Sequence, residues 1–163
     1  MRALAKIFLA GTICFLIAGQ AFGQSPGKTV IFVASTPCPS GTKPLPGMAD
    51  EKCQLMIWKL QLVSGPQNQR GTYILDCDYG LPLQGTKKLI NDGRHLHREG
   101  KWTVVNGIKT NPLAIIYRLD PDQPKASVSF IKLSDDVIHL LDSDMQLMIG
   151  NGAGGYTLNK VTE

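Results

Sequence analysis

The chain has 163 residues, 43% of them hydrophobic and 18% charged, a length that suits one domain, or a short leader followed by one domain, and excludes two large ones. Glycine (17) and proline (10) lie near average usage, and aromatics at 7% with recurring apolar runs exclude general disorder. The net charge of +4 falls toward neutrality once Arg2 and Lys6 at the amino terminus are set aside; the remaining basic residues are spread among acids, no stripe tracks a phosphate backbone, and nucleic-acid binding is not expected.

Residues 1–23 read as a signal peptide. Arg2 and Lys6 supply the positive end, 7–18 are apolar, and Ala21-Phe22-Gly23 places small residues at the −3 and −1 positions, with cleavage before Gln24. The apolar stretch is shorter than the ~20 residues a membrane-spanning helix needs, and Gly11, Gly19 and Gln20 interrupt or end it. After cleavage the chain is therefore expected not to span a membrane. Cys14 follows Ile13 and lies too early to be a lipid-attachment cysteine. Export would place Cys38, Cys53 and Cys77 where disulfides persist. Cys38 and Cys53 bracket a stretch rich in proline and glycine and are the expected pair, leaving Cys77 as a buried free thiol or a site that reacts with another chain.

No segment carries a sustained helical stripe, whereas short β-rich runs recur between turn signals. The first run is 29–34 (TVIFVA), and residues 24–52 are read as an N-terminal strand and proline-rich loop belonging to the barrel, with 53–163 as its main body. In 53–63 (CQLMIWKLQLV), Met56, Trp58, Leu60 and Leu62 form one continuously apolar face, as in a long central strand. Gly65-Pro66 and 68–71 turn the chain into 72–77 (TYILDC), and 80–85 form a further loop. Asn91-Asp92-Gly93 is a turn signal leading to 95–98; Gly100-Lys101 introduces 102–105; Asn106-Gly107 predicts a tight hairpin into Ile108. Residues 113–119 (LAIIYRL) and 126–133 (ASVSFIKL) form another hairpin about Asp120-Pro121-Asp122. Turns at 134–136 and 142–144 flank 137–141, then 146–149 precede a glycine-rich loop, and 156–160 (YTLNK) close the chain. The expected fold is all-β: an antiparallel up-and-down, lipocalin-like barrel of about eight strands, with a two-sheet sandwich as the alternative.

Trp58-x-Leu60, Thr72-Tyr73, Tyr79-Gly80, Gly100-x-Trp102, Tyr117-x-Leu119, Ile138-His139-Leu140-Leu141-Asp142 and Tyr156-Thr157-Leu158-Asn159 follow one another in an order that resembles the copper-resistance and envelope-stress lipoprotein family NlpE, over 58–160. The resemblance implies a lipocalin-like barrel in the bacterial periplasm or cell envelope, with a role in metal tolerance or surface sensing.

His95-x-His97 is the most suggestive metal feature, because residues i and i+2 on a strand project from the same face and two imidazoles can share one ion. Cys77, Asp76, Asp78, His139 or a methionine could complete the set, with copper or zinc as the ion; the alternative is two exposed histidines whose neighbours Arg94 and Arg98 oppose a cation. The site expected first is His95, His97 and Cys77. Met48, Met56, Met145 and Met148 are read as packing, and Asp135, Asp136, Asp142 and Asp144 as turn residues, before they are read as ligands. No Gly-x-Ser-x-Gly elbow or phosphate-binding loop occurs, so no enzymatic activity is expected. Trp58 and Phe130 would line a ligand if the barrel were hollow. Three readings remain open: a metal-handling envelope protein, a carrier of a small apolar ligand, and a structural or protein-interaction module with a filled core. Each would act on a small ligand or on another envelope protein.

Overall fold

Alternating side chains decide which way every strand faces. The computed structural model describes residues 27–38, 45–48, 52–86, 88–152 and 154–161; the leader expected over 1–23, its cleavage site and Cys14 lie outside the described residues. Eight strands form: β1 (Thr29–Pro37), β2 (Leu55–Ser64), β3 (Arg70–Gly80), β4 (Arg94–Ile108), β5 (Asn111–Leu119), β6 (Val128–Lys132), β7 (Val137–Leu141) and β8 (Thr157–Val161). Each pairs antiparallel with the next, and β8 returns to β1 through Ile31↔Val161, Phe32↔Lys160 and Val33↔Asn159, closing the barrel. The closed up-and-down barrel is the expected architecture, and the sandwich alternative falls away.

The interior holds the residues that alternation sends inward. On β2 these are Met56, Trp58, Leu60 and Leu62, each at most 3% exposed, while Lys59 between them faces solvent. Trp58 meets Phe130 edge to face at 6.4 Å, and its indole N–H donates to Thr36 Oγ1 at 2.8 Å, so a buried donor is satisfied inside an apolar core. Trp102 and Tyr117 form a second T-shaped pair at 5.5 Å. A smaller apolar cluster of Ala114, Ile116, Ile131 and Leu141 lies on the outer face of β5 to β7, with Met145 packed against it.

Two local expectations are corrected. Residues 94–108 form one strand, not three short ones, and the chain reverses at Lys109-Thr110 instead of at Asn106-Gly107. Asn106-Gly107 makes a bulge: Gly107 takes a φ of +86°, and the β4–β5 register shifts between Asn106 and Ile108. Gly100 ends no strand either. A side chain there would run into the Asp120 carboxylate and the Tyr73 ring, so this glycine is a close-approach position inside β4. Residues 146–149 stay in the β7–β8 connection, tied to β7 by the isolated bridge Leu141↔Leu147 and by the Met148 N–H donating to the Leu140 carbonyl at 3.1 Å.

Two devices hold loops to one end of the barrel. Cys38 and Cys53 form the expected disulfide across 15 residues, with Cα atoms 5.6 Å apart, and the loop it closes sends Leu45 and Met48 into the interior cluster. At the same end, the β5–β6 connection is latched by polar groups. Tyr73 Oη donates to Asp120 Oδ2 at 2.6 Å, while Arg98 Nη2 donates to the same oxygen at 2.6 Å and to the Ala126 carbonyl at 2.7 Å. The side chains of Arg98 and Asp120 are each only 13% exposed, so this ion pair is shielded from solvent. Burial first, and then the hydrogen bond to Asp120, hold the Tyr73 hydroxyl in its neutral form well above the ordinary tyrosine range.

Replacing both cysteines (Cys38→Ser/Cys53→Ser) is expected to lower the unfolding free energy by about 3 kcal/mol in urea titration, since the loop of 15 residues regains its freedom in the unfolded chain. Asp120→Asn leaves Arg98 buried without its counter-charge and is expected to cost about 2 to 3 kcal/mol by the same measurement.

Candidate metal centre

The β3–β4 ladder places carboxylates and imidazoles on opposite rungs of one outer surface. Asp76 pairs with His97 and Asp78 with His95, while the residues between them, Cys77 and Leu96, form the inward-facing rung. Ladder register thus brings together groups separated by 17 and 21 positions in the chain.

His95 Nδ1 lies 2.7 Å from Asp78 Oδ1, and its Nε2 lies 3.6 Å from Asp76 Oδ1. His97 Nδ1 lies 2.7 Å from the same Asp76 oxygen. The two imidazoles stack, with centroids 6.4 Å apart and planes 22° from parallel. The Asp78 carboxylate accepts from the Nδ1–H of His95 and holds the ring so that Nε2 faces Asp76, an arrangement in which a carboxylate orients a metal-binding histidine. Asp76, His95 and His97 each offer one donor atom, all within 4.8 Å of one another, and among the described residues they are the one such group of three.

Ligand bonds of about 2.0–2.1 Å in tetrahedral geometry separate neighbouring donor atoms by roughly 3.3 Å. The Asp76–His95 distance of 3.6 Å is near that value, and the Asp76–His97 distance of 2.7 Å is a hydrogen bond that must open by about half an ångström and release its Nδ1 proton, to solvent or to Nε2, to admit an ion. Both histidine side chains are more than half exposed, so water reaches the remaining coordination positions. Arg98, which the sequence places beside the histidines as an opposing charge, faces inward and is matched by Asp120.

Cys77 is corrected as a partner of the histidines. It is fully buried on the opposite face of the sheet, and burial, with a smaller contribution from the Asp78 charge, pushes its thiol up to about 12. A thiol so held presents no thiolate to a metal or an electrophile at neutral pH. His139 is engaged elsewhere: Nδ1 lies 2.9 Å from Thr157 Oγ1 and Nε2 2.9 Å from the Met148 carbonyl. Asp142 Oδ1 accepts from the backbone N–H groups of Asp144 and Gln146 at 2.9 Å each, a turn role, while Asp135 and Asp136 pair with Lys132 and Lys160. Met48 and Met56 are core residues, and Met145 and Met148 pack against the two apolar clusters. Trp58 and Phe130 pack on each other in the occupied interior.

Comparison with protein-family models, with curated proteins and with solved structures found no match to the chain.

The sequence had named Asp76 and Asp78 only among several optional ligands. The signal that selects them is the alternation of Tyr73, Leu75 and Cys77 against Ile74, Asp76 and Asp78, which sends the acids out and the thiol in. In the folded protein, Cys77 is expected to resist alkylation by iodoacetamide at neutral pH and to react once denaturant is added, read by intact mass; rapid labelling of the native protein would contradict the burial described above.

Proposed function

We propose that the protein is an exported, non-enzymatic β-barrel of the bacterial envelope that binds Cu(II) or Zn(II) on its outer wall through Asp76, His95 and His97. The observation that carries this reading is the hydrogen bond from His95 to Asp78, which leaves the other ring nitrogen facing the Asp76 carboxylate beside His97. A nitrogen and oxygen donor set suits Cu(II) and Zn(II); Cu(I) favours sulfur, and Cys77 lies inside the barrel with Met48 and Met56.

Two further features support the setting. The Cys38–Cys53 disulfide belongs to oxidising compartments, and among the described residues no helix is long and apolar enough to cross a membrane. A role in copper tolerance or envelope-stress sensing is what the resemblance to NlpE implies, and an exposed ion site on a rigid wall supports either. The interior is taken up by Trp58, Phe130 and their neighbours, so the reading places no apolar ligand at the barrel axis.

Isothermal titration of the protein with Cu(II) and Zn(II) is expected to show saturable binding that His95→Ala/His97→Ala abolishes; unchanged heats in that double variant would remove the site. Asp78→Asn, which leaves all three ligands in place, is expected to weaken binding about tenfold by releasing the His95 ring.

A further inference from the structure

At the end of the barrel where the β1–β2, β5–β6 and β7–β8 connections meet lies a groove of about 710 Å³ that shares no residue with the metal centre. We propose that it binds an anionic amphiphile, a carboxylate bearing a short apolar chain.

The floor of the groove is the outer wall of the sheet. Arg118 on β5 pairs with Ser129 on β6, and Ser129 pairs with Leu141 on β7, so a cation, a hydroxyl and an apolar side chain stand side by side. Lys125 and Ser127 of the β5–β6 connection form one wall, Met145 and Met148 of the β7–β8 connection the other. The volume lies within the range of about 300–1,000 Å³ usual for small-molecule sites.

Charge selects the head of the ligand. Among the described residues Arg98, Lys132 and Lys160 each face a carboxylate, but Arg118 and Lys125 face none. The contact made by the Arg118 guanidinium is to the Met145 thioether, Nη2 to Sδ at 3.6 Å, and a thioether is a weak acceptor. A half-buried guanidinium with its donors so little used is suited to a planar oxyanion, which it can grip with two parallel hydrogen bonds. One carboxylate also lines the groove, Asp142, but its Oδ1 is committed to two backbone N–H groups of its own turn, and two cations against one acid leave a positive site. Ser129, 8% exposed, lines the groove with a hydroxyl for which no side-chain hydrogen bond is seen among the described residues, and it adds a donor beside Arg118.

Apolar surface selects the tail. Leu141 is 5% exposed, Met145 packs half-buried against the cluster that holds it, and half-buried Met148 also lines the groove; both methionines are flexible side chains that fit themselves to a short alkyl chain. A free inorganic anion would leave this surface unused, and an uncharged chain would leave Arg118 and Lys125 unmatched.

The test is calorimetric titration of the protein with decanoate, decanol and acetate, alongside Arg118→Met and Lys125→Met. Decanoate is expected to bind saturably, with acetate and decanol each at least about tenfold weaker, and Arg118→Met is expected to lose about tenfold or more in decanoate affinity. Lys125 is exposed, so Lys125→Met leaves the fold intact and is expected to weaken decanoate several-fold; it decides the matter if the near-ultraviolet dichroism of Arg118→Met shows disturbed packing. Failure of decanoate to saturate, decanol binding as tightly as decanoate, or wild-type affinity in either folded variant would overturn the proposal.

Discussion

The two-residue period of a strand, locked by closure, is the constraint on which the remaining structure depends. In an open sheet a strand can slip by one position and exchange its faces; here β1 is paired on both sides, by β2 and by β8, so a slip anywhere must be passed around the whole ring. The sorting of side chains is therefore absolute. Asp76, Cys77 and Asp78 are consecutive, yet two meet solvent and one meets the core. The same rule turns His95 and His97 outward and Arg98 inward, and it puts Arg118 on the wall while Tyr117 packs against Trp102 inside.

Once the interior is filled, chemistry is displaced to the outside. Leu45 and Met48 enter one end of the barrel from the β1–β2 loop, and Tyr73, Arg98 and Asp120 bind the β5–β6 connection down beside them. Loops anchored in this way form fixed walls, which gives the groove beside Arg118 a defined shape. The polar latch stabilises only as a unit: Asp120 accepts from both Tyr73 and Arg98, and loss of the acid strands two donors at once.

Much of this was legible in the sequence, and the failures have local causes. The continuous face of Met56, Trp58, Leu60 and Leu62 announces an inward strand face, and the proline- and glycine-rich stretch between Cys38 and Cys53 announces their pairing. Asn106-Gly107 misled because a left-handed glycine serves a tight turn and a bulge equally well, and the choice rests on the register of β5, which the dipeptide does not contain. Grouping Cys77 with the histidines overlooked the alternation inside 72–77 itself. The pairing of Asp76 with His97 needed the β3–β4 register, and nothing local distinguishes Arg98, which finds Asp120, from Arg118, which finds only a thioether.

The candidate ion site differs from a structural metal centre in what it would do to folding. A zinc-finger ion is the core of its domain, so binding and folding are one event. Here the register of β3 against β4 is set along ten consecutive pairs, from Arg70↔Thr103 to Tyr79↔Arg94, before any ion is considered, and the donors of the histidine site ride on rungs of that ladder. An ion bound there would add stability only through its preference for the folded ligand set, and its removal would leave core, closure and disulfide untouched. Binding energy would not be consumed in ordering the chain, and two water-accessible imidazoles would let an ion leave without opening the barrel. A wall built in this manner would favour exchange of an ion over its permanent retention, because the fold does not depend on the ion.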